Sequence, residues 1–168
     1  MKPKFRGYIT QIAFFLALYG CSFLVVQSKE NTLVPNLIYS VTLAGMYGIS
    51  ALYHRPLWSR RKYLIMRSID HSAIFALIAG TATPICLLAL KNESAILFLF
   101  VLWGIAILGM LLTLFWTQGP KWARAIFYVI LGWLIIPYLS EIKIGLGINE
   151  FRLVLVGGIF GSSGTAVV

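Results

Sequence analysis

The stretch AILFLFVLWGIAILGMLLTLFW, residues 95–116, contains no charged side chain and decides the fold class. A helix rises about 1.5 Å per residue, so a run of this length crosses the roughly 30 Å hydrocarbon core of a bilayer. The run is apolar on every side, whereas a surface helix of a soluble protein keeps one polar face. Residues 95–116 are therefore predicted to form a transmembrane helix.

Five further apolar runs predict that the whole chain is built in this way. They cover residues 8–27, 33–53, 68–90, 123–139 and 151–168. Apolar residues make up 60% of the 168 residues and charged residues only 11%, which is too few to cover a soluble domain. We therefore predict one integral membrane domain, an all-α polytopic bundle with five full transmembrane helices and a partial sixth.

Loop charges predict the orientation of this bundle. A cytoplasmic N-terminus would place most of the 14 basic residues on the cytoplasmic side: Lys2, Lys4, Arg6, Arg55, Arg60, Arg61, Lys62, Arg67, Lys121 and Arg124. The other side would be nearly neutral, with Lys29, Lys91, Lys143 and Arg152 beside Glu30, Glu93, Glu141 and Glu150. Because Lys and Arg bias in short loops sets orientation, we predict a multi-pass protein of the inner or plasma membrane with its N-terminus in the cytoplasm. The net charge of +9 then indicates membrane loops and no nucleic-acid partner.

Three ionisable side chains, His54, Asp70 and His71, lie within or at the edge of the apolar runs. Such residues are costly at membrane depth and by default indicate function. Ser50 and His54 are spaced i, i+4 and share one helix face, and a short loop returns Asp70 to a similar depth. A hydroxyl, an imidazole and a carboxylate brought together there predict a metal site or an acid–base site.

Structural roles for the same residues remain open alternatives. His54 fits an interfacial residue at a helix end, and Asp70 fits a partner for Arg67 or a complement to the helix dipole. His71 lies about 100° around the helix from Asp70, which favours hydrogen bonding or packing over metal ligation.

Three motifs together resemble the hemolysin III family, the bacterial branch of the progestin and adipoQ receptor (PAQR) group. They are SALYH at residues 50–54, RSIDHSAIF at residues 67–75 and AGTATP at residues 79–84. Members of this group have seven transmembrane helices and a cytoplasmic N-terminus. The resemblance therefore implies the same orientation that the loop charges predict.

The resemblance also implies a site and a chemistry. His54 would be a zinc ligand, Asp70 would hold or activate the zinc-bound water, and Ser50 would support the site. The implied reaction is metal-assisted hydrolysis of a lipid amide, as in related alkaline ceramidases, with membrane lipids as the substrate source. The family name carries a second possibility, membrane lysis by pore formation, and the receptor relatives suggest a third, signalling.

The sequence departs from the family pattern at its end. A seventh helix should bring a His-x-x-x-His pair as two further zinc ligands, yet no histidine follows His71 and the sixth run stops at Val168. The expectation is a C-terminally truncated chain with an incomplete zinc site, which leaves open whether the chain is an active enzyme.

Overall fold

A computed structural model describes residues 4–54, 58–90, 92–116 and 121–165, and this part of the chain is helical with no strand. The helices are α1 Lys4–Val26, α2 Glu30–His54, α3 Arg60–Ala89, α4 Asn92–Phe115, α5 Lys121–Trp133, α6 Leu139–Leu146 and α7 Ile148–Thr165, with a short 3₁₀ turn at Ile136–Tyr138. The prediction of an all-α polytopic bundle is confirmed. Lys2, Arg55, Lys91 and the last three residues of the sixth run, 166–168, lie outside the described residues.

Five segments of the described chain are long and apolar enough to cross a membrane. They are Gly7–Val26, Glu30–His54, Arg60–Ala89, Glu93–Phe115 and Arg124–Leu146. Their outer surfaces expose large apolar side chains, such as Phe100 at 80% and Phe115 at 85% exposure. Contiguous apolar surface of this kind is suited to lipid and not to water.

The fifth span differs from the sequence prediction of residues 123–139. Helix α5 ends at Trp133, and the chain passes through the 3₁₀ turn before α6 continues the same apolar segment to Leu146. Pro137 explains the break, because its ring clashes with the carbonyl of the residue four positions earlier, which is Trp133. Ile142 in α6 is fully buried and keeps this helix against the bundle.

Helix α3 is the centre of the bundle and packs against α2, α4, α5 and α6. Its buried face consists largely of small side chains: Ser68, Ser72, Ala73, Ala79, Gly80, Ala82, Thr83 and Cys86. Small residues let helices approach closely, which is the main source of helix association inside a membrane. Among the side chains that the structure describes, the largest fully buried ones are Phe75, Leu102, Leu131, Ile142 and Cys86.

Gly80 lies where α2 and α3 touch. A Cβ placed there would overlap the side chain of Thr42, whose hydroxyl also bonds to the carbonyls of Ile38 and Tyr39 at 3.0 and 2.9 Å. We expect Gly80→Ala to lower the free energy of unfolding by about 1–3 kcal/mol, the usual cost of overpacking. Gly104→Ala is the matched control, because nothing lies within 4 Å of a Cβ there. Equal melting temperatures in detergent for the two variants would contradict this close contact.

Candidate functional site

Asp70 is the centre of a polar cluster at the end of the bundle where α2 stops and α3 starts. The Ser50 hydroxyl, on α2, donates a hydrogen bond to the Asp70 carboxylate, and His54 and His71 interact electrostatically with it. The Asp70 side chain is only 15% exposed. Burying a carboxylate is costly, and these polar contacts offset part of that cost. The structure therefore brings Ser50, His54 and Asp70 together, as the spacing predicts.

The antiparallel packing of α2 and α3 positions this cluster. The two helices are joined by a short connection between His54 and Arg60, so the last turn of α2 lies beside the first turns of α3. Tyr53 and Tyr63 close the corner through a hydrogen bond of 2.8 Å between their hydroxyls, with ring centroids 5.4 Å apart. Tyr53 is 7% exposed, so this pair fixes the last turn of α2 against α3.

His71 lies beside Asp70 but has a different principal contact. Its Nδ1 is 2.7 Å from the carbonyl oxygen of Arg67 and 3.9 Å from Oδ2 of Asp70. Because a carbonyl oxygen can only accept, this hydrogen bond requires the proton on Nδ1. In the neutral ring, Nε2 then keeps its lone pair.

Helix α5 also borders the site, and the sequence analysis did not predict this. The Tyr128 hydroxyl donates a hydrogen bond of 2.7 Å to the carbonyl oxygen of His71, and its ring centroid lies 4.5 Å from that of Phe75. Tyr128 is 4% exposed. The sequence signal was weak, a tyrosine inside an apolar run, because the partner is 57 residues away.

The fit of these residues to a zinc ion is incomplete. A catalytic zinc site usually has three protein ligands. Within residues 4–54, 58–90, 92–116 and 121–165, no group of three or more His, Cys, Asp or Glu side chains is placed to hold a metal ion. His54 and Asp70 alone do not form such a set.

Comparison with known proteins identifies the family of this chain. The family model described as haemolysin-III related matches residues 1–167. Hemolysin-3 of Bacillus cereus is 32% identical over 169 residues, which cover 98% of this chain and 77% of that protein. The Hemolysin-3 homolog of Bacillus subtilis (strain 168) is 31% identical over 170 residues, 98% of this chain and 79% of that protein. No solved structure matches significantly. With its apolar helices and these matches, the chain belongs to the hemolysin III family of multi-pass membrane proteins.

Proposed function

We propose that this protein hydrolyses the amide bond of a membrane lipid at the cluster of Ser50, His54 and Asp70. The observation that carries the proposal is the burial of the Asp70 carboxylate, which is 15% exposed and lies among Ser50, His54 and His71 inside a largely apolar bundle. Polar and ionisable groups at such a place are expensive and mark function by default. The cluster lies at the end of the bundle, at a depth that suits an amide at the boundary between head groups and acyl chains.

The chemistry assigned to these residues is general acid–base catalysis. Asp70 accepts a proton from water while the water oxygen attacks the amide carbonyl carbon. Asp70 then gives that proton to the amide nitrogen as the C–N bond breaks, which releases a fatty acid and an amine. The hydrogen bond from Ser50 orients the carboxylate, and His54 contributes its electrostatic interaction with the same group. The test is fatty-acid release from ceramide in proteoliposomes that contain the purified protein, compared with empty liposomes.

Zinc is the cofactor that the family resemblance implies, with His54 as a ligand and Asp70 near the metal-bound water. The described residues offer at most these two groups, so the purified protein should retain well under one zinc ion per chain. His54→Ala should lower the remaining zinc further, as measured by inductively coupled plasma mass spectrometry. About one zinc ion per chain, lost in His54→Ala, would contradict this incomplete fit.

The proposed orientation places this site on the cytoplasmic side of the cell membrane, with the N-terminus also inside. It is supported by the excess of Lys and Arg in the loops on that side. Alkaline phosphatase, which is active only outside the cytoplasm, should be active when fused after Ser94 and inactive when fused after Arg61. The reverse pattern would place the site on the outer face.

Membrane lysis is a second candidate, favoured by the names of the two Bacillus relatives. Lysis by a pore does not require a proton acceptor, so it should survive removal of the Asp70 carboxylate. Dye release from liposomes, measured for the wild type and for Asp70→Asn, separates the two functions.

A further inference from the structure

Helices α3 and α5 lie side by side in register at the end of the bundle that carries the polar cluster. The bond from Tyr128 to the His71 carbonyl and the contact between the rings of Tyr128 and Phe75 fix this register. Both helices start at the same end of the bundle, since α4 returns the chain between them. Arg67 and Arg124 each lie four residues, about one helical turn, before His71 and Tyr128. The register therefore brings the two arginines to the same level.

The electrostatic contacts agree with this placement. Arg67 and Arg124 both interact electrostatically with His71. Arg67 also interacts with Tyr53, and Arg124 with Tyr128. The guanidinium groups of α3 and α5 are thus both within electrostatic range of one histidine.

Most of the acidic side chains lie away from this end of the bundle. The chain has five acidic residues, of which Asp70 is already engaged by Ser50 and by the two histidines. The others belong to helix starts or to α6 at the opposite end of the bundle: Glu30, Glu93, Glu141 and Glu150. Basic side chains therefore outnumber acidic ones at the end of the bundle that carries Arg67 and Arg124, and such an excess attracts anions.

The guanidinium of Arg124 has a buried donor that an anion could satisfy. Its Nε atom is buried and has no hydrogen-bond partner among the described residues. A buried donor without a partner costs free energy, and a guanidinium presents a rigid fork of donors that matches phosphate oxygens. Arg124 is also the first residue of the candidate span Arg124–Leu146, so we expect it to lie near lipid head groups.

We propose that Arg67 and Arg124 together bind a phosphate group, supplied either by the head group of an anionic phospholipid or by free phosphate. Basic pockets between transmembrane helices commonly hold anionic head groups in this way. The site depends on the register of α3 and α5 and not on amide hydrolysis, so either proposal can fail without the other. A lipid phosphate bound by Arg67 and Arg124 would lie beside the polar cluster of Ser50, His54 and Asp70.

The experiment measures the melting temperature of the purified protein in neutral detergent. Phosphatidylglycerol, phosphatidylcholine and inorganic phosphate at millimolar concentration are added in separate titrations. Phosphatidylglycerol should stabilise the wild type more than phosphatidylcholine does, and Arg124→Gln should weaken the apparent affinity for it about fivefold. Arg61→Gln is the matched control, because it removes the same charge from an exposed position at the same end of the bundle.

A second Arg124 variant and a comparison of lipid with inorganic phosphate complete the experiment. Arg124→Lys keeps the charge without the fork, so it should bind phosphatidylglycerol more tightly than Arg124→Gln and provides a second variant if the glutamine variant does not fold. Stabilisation by phosphatidylglycerol alone assigns the phosphate to lipid, and stabilisation by inorganic phosphate alone assigns it to the free ion. The proposed site would be overturned if phosphatidylglycerol and phosphatidylcholine raised the melting temperature equally and inorganic phosphate had no effect. Unchanged affinity for phosphatidylglycerol in both Arg124 variants would also overturn it.

Discussion

Asp70→Asn is expected to lower the rate of lipid-amide hydrolysis by about 10²–10⁴-fold, the usual contribution of a general base. The carboxamide has nearly the shape of the carboxylate and can still accept a hydrogen bond from Ser50, but it cannot take a proton from water. The melting temperature should therefore change much less than the rate. The measurement is fatty-acid release from ceramide in proteoliposomes with equal amounts of folded protein.

Glu93→Gln is the matched control for this substitution. Glu93 is an exposed carboxylate in the first turn of α4, at the opposite end of the bundle, so its loss should leave the rate unchanged. Ser50→Ala should give an intermediate loss of about tenfold, since one hydrogen bond to a charged group contributes about 1.5 kcal/mol or somewhat more. A rate in Asp70→Asn within twofold of the wild type would show that the carboxylate has only a structural role.

Phe75→Ala is expected to cause a large loss of stability. The Phe75 side chain is 1% exposed, lies against the ring of Tyr128 on α5, and occupies the space beside Gly109 on α4, where an added Cβ would be 2.5 Å from the ring. Truncation leaves a cavity between three helices, which costs about 3–5 kcal/mol for a buried phenylalanine. Thermal or denaturant unfolding in detergent measures this loss.

Phe100→Ala controls for the removal of a phenyl ring from the same bundle. Phe100 lies on α4 with 80% of its surface exposed, where lipid replaces the ring without a cavity. Its variant should stay within about 0.5 kcal/mol of the wild type, as is usual for surface positions. Similar losses of unfolding free energy in Phe75→Ala and Phe100→Ala would mean that Phe75 does not pack between α3, α4 and α5 as described.

Sequence alone predicted most of the fold, because a span is a local property of about 20 consecutive apolar residues. The fifth span shows where that reasoning stops. The predicted run ended at residue 139, whereas the structure breaks the helix near Pro137 and continues through α6 to Leu146. Glu141 and Lys143 suggested a loop, but burial of Ile142 between them holds α6 against the bundle. That packing is not visible in local hydropathy.

The candidate site, like the fold, could be predicted only in part from the sequence. Ser50, His54 and Asp70 could be grouped from sequence because helical spacing and a short connection between two helices fix their relative positions. Tyr128 and Arg124 could not be assigned to the site, since their contacts with α3 depend on how α5 packs after an intervening helix. Their proximity to His71 is a tertiary fact, set by the hydrogen bond that spans 57 residues.

We propose that the polar cluster around Asp70 performs chemistry on lipid. Fatty-acid release and dye leakage measured together, in the same ceramide-containing liposomes, test it most directly. Wild-type protein should release fatty acid while the dye is retained, and Asp70→Asn should lower the release by about 10²–10⁴-fold. Dye leakage at equal rates with wild type and Asp70→Asn, without fatty-acid release from either, would show that the protein permeabilises membranes and does not hydrolyse lipid amides.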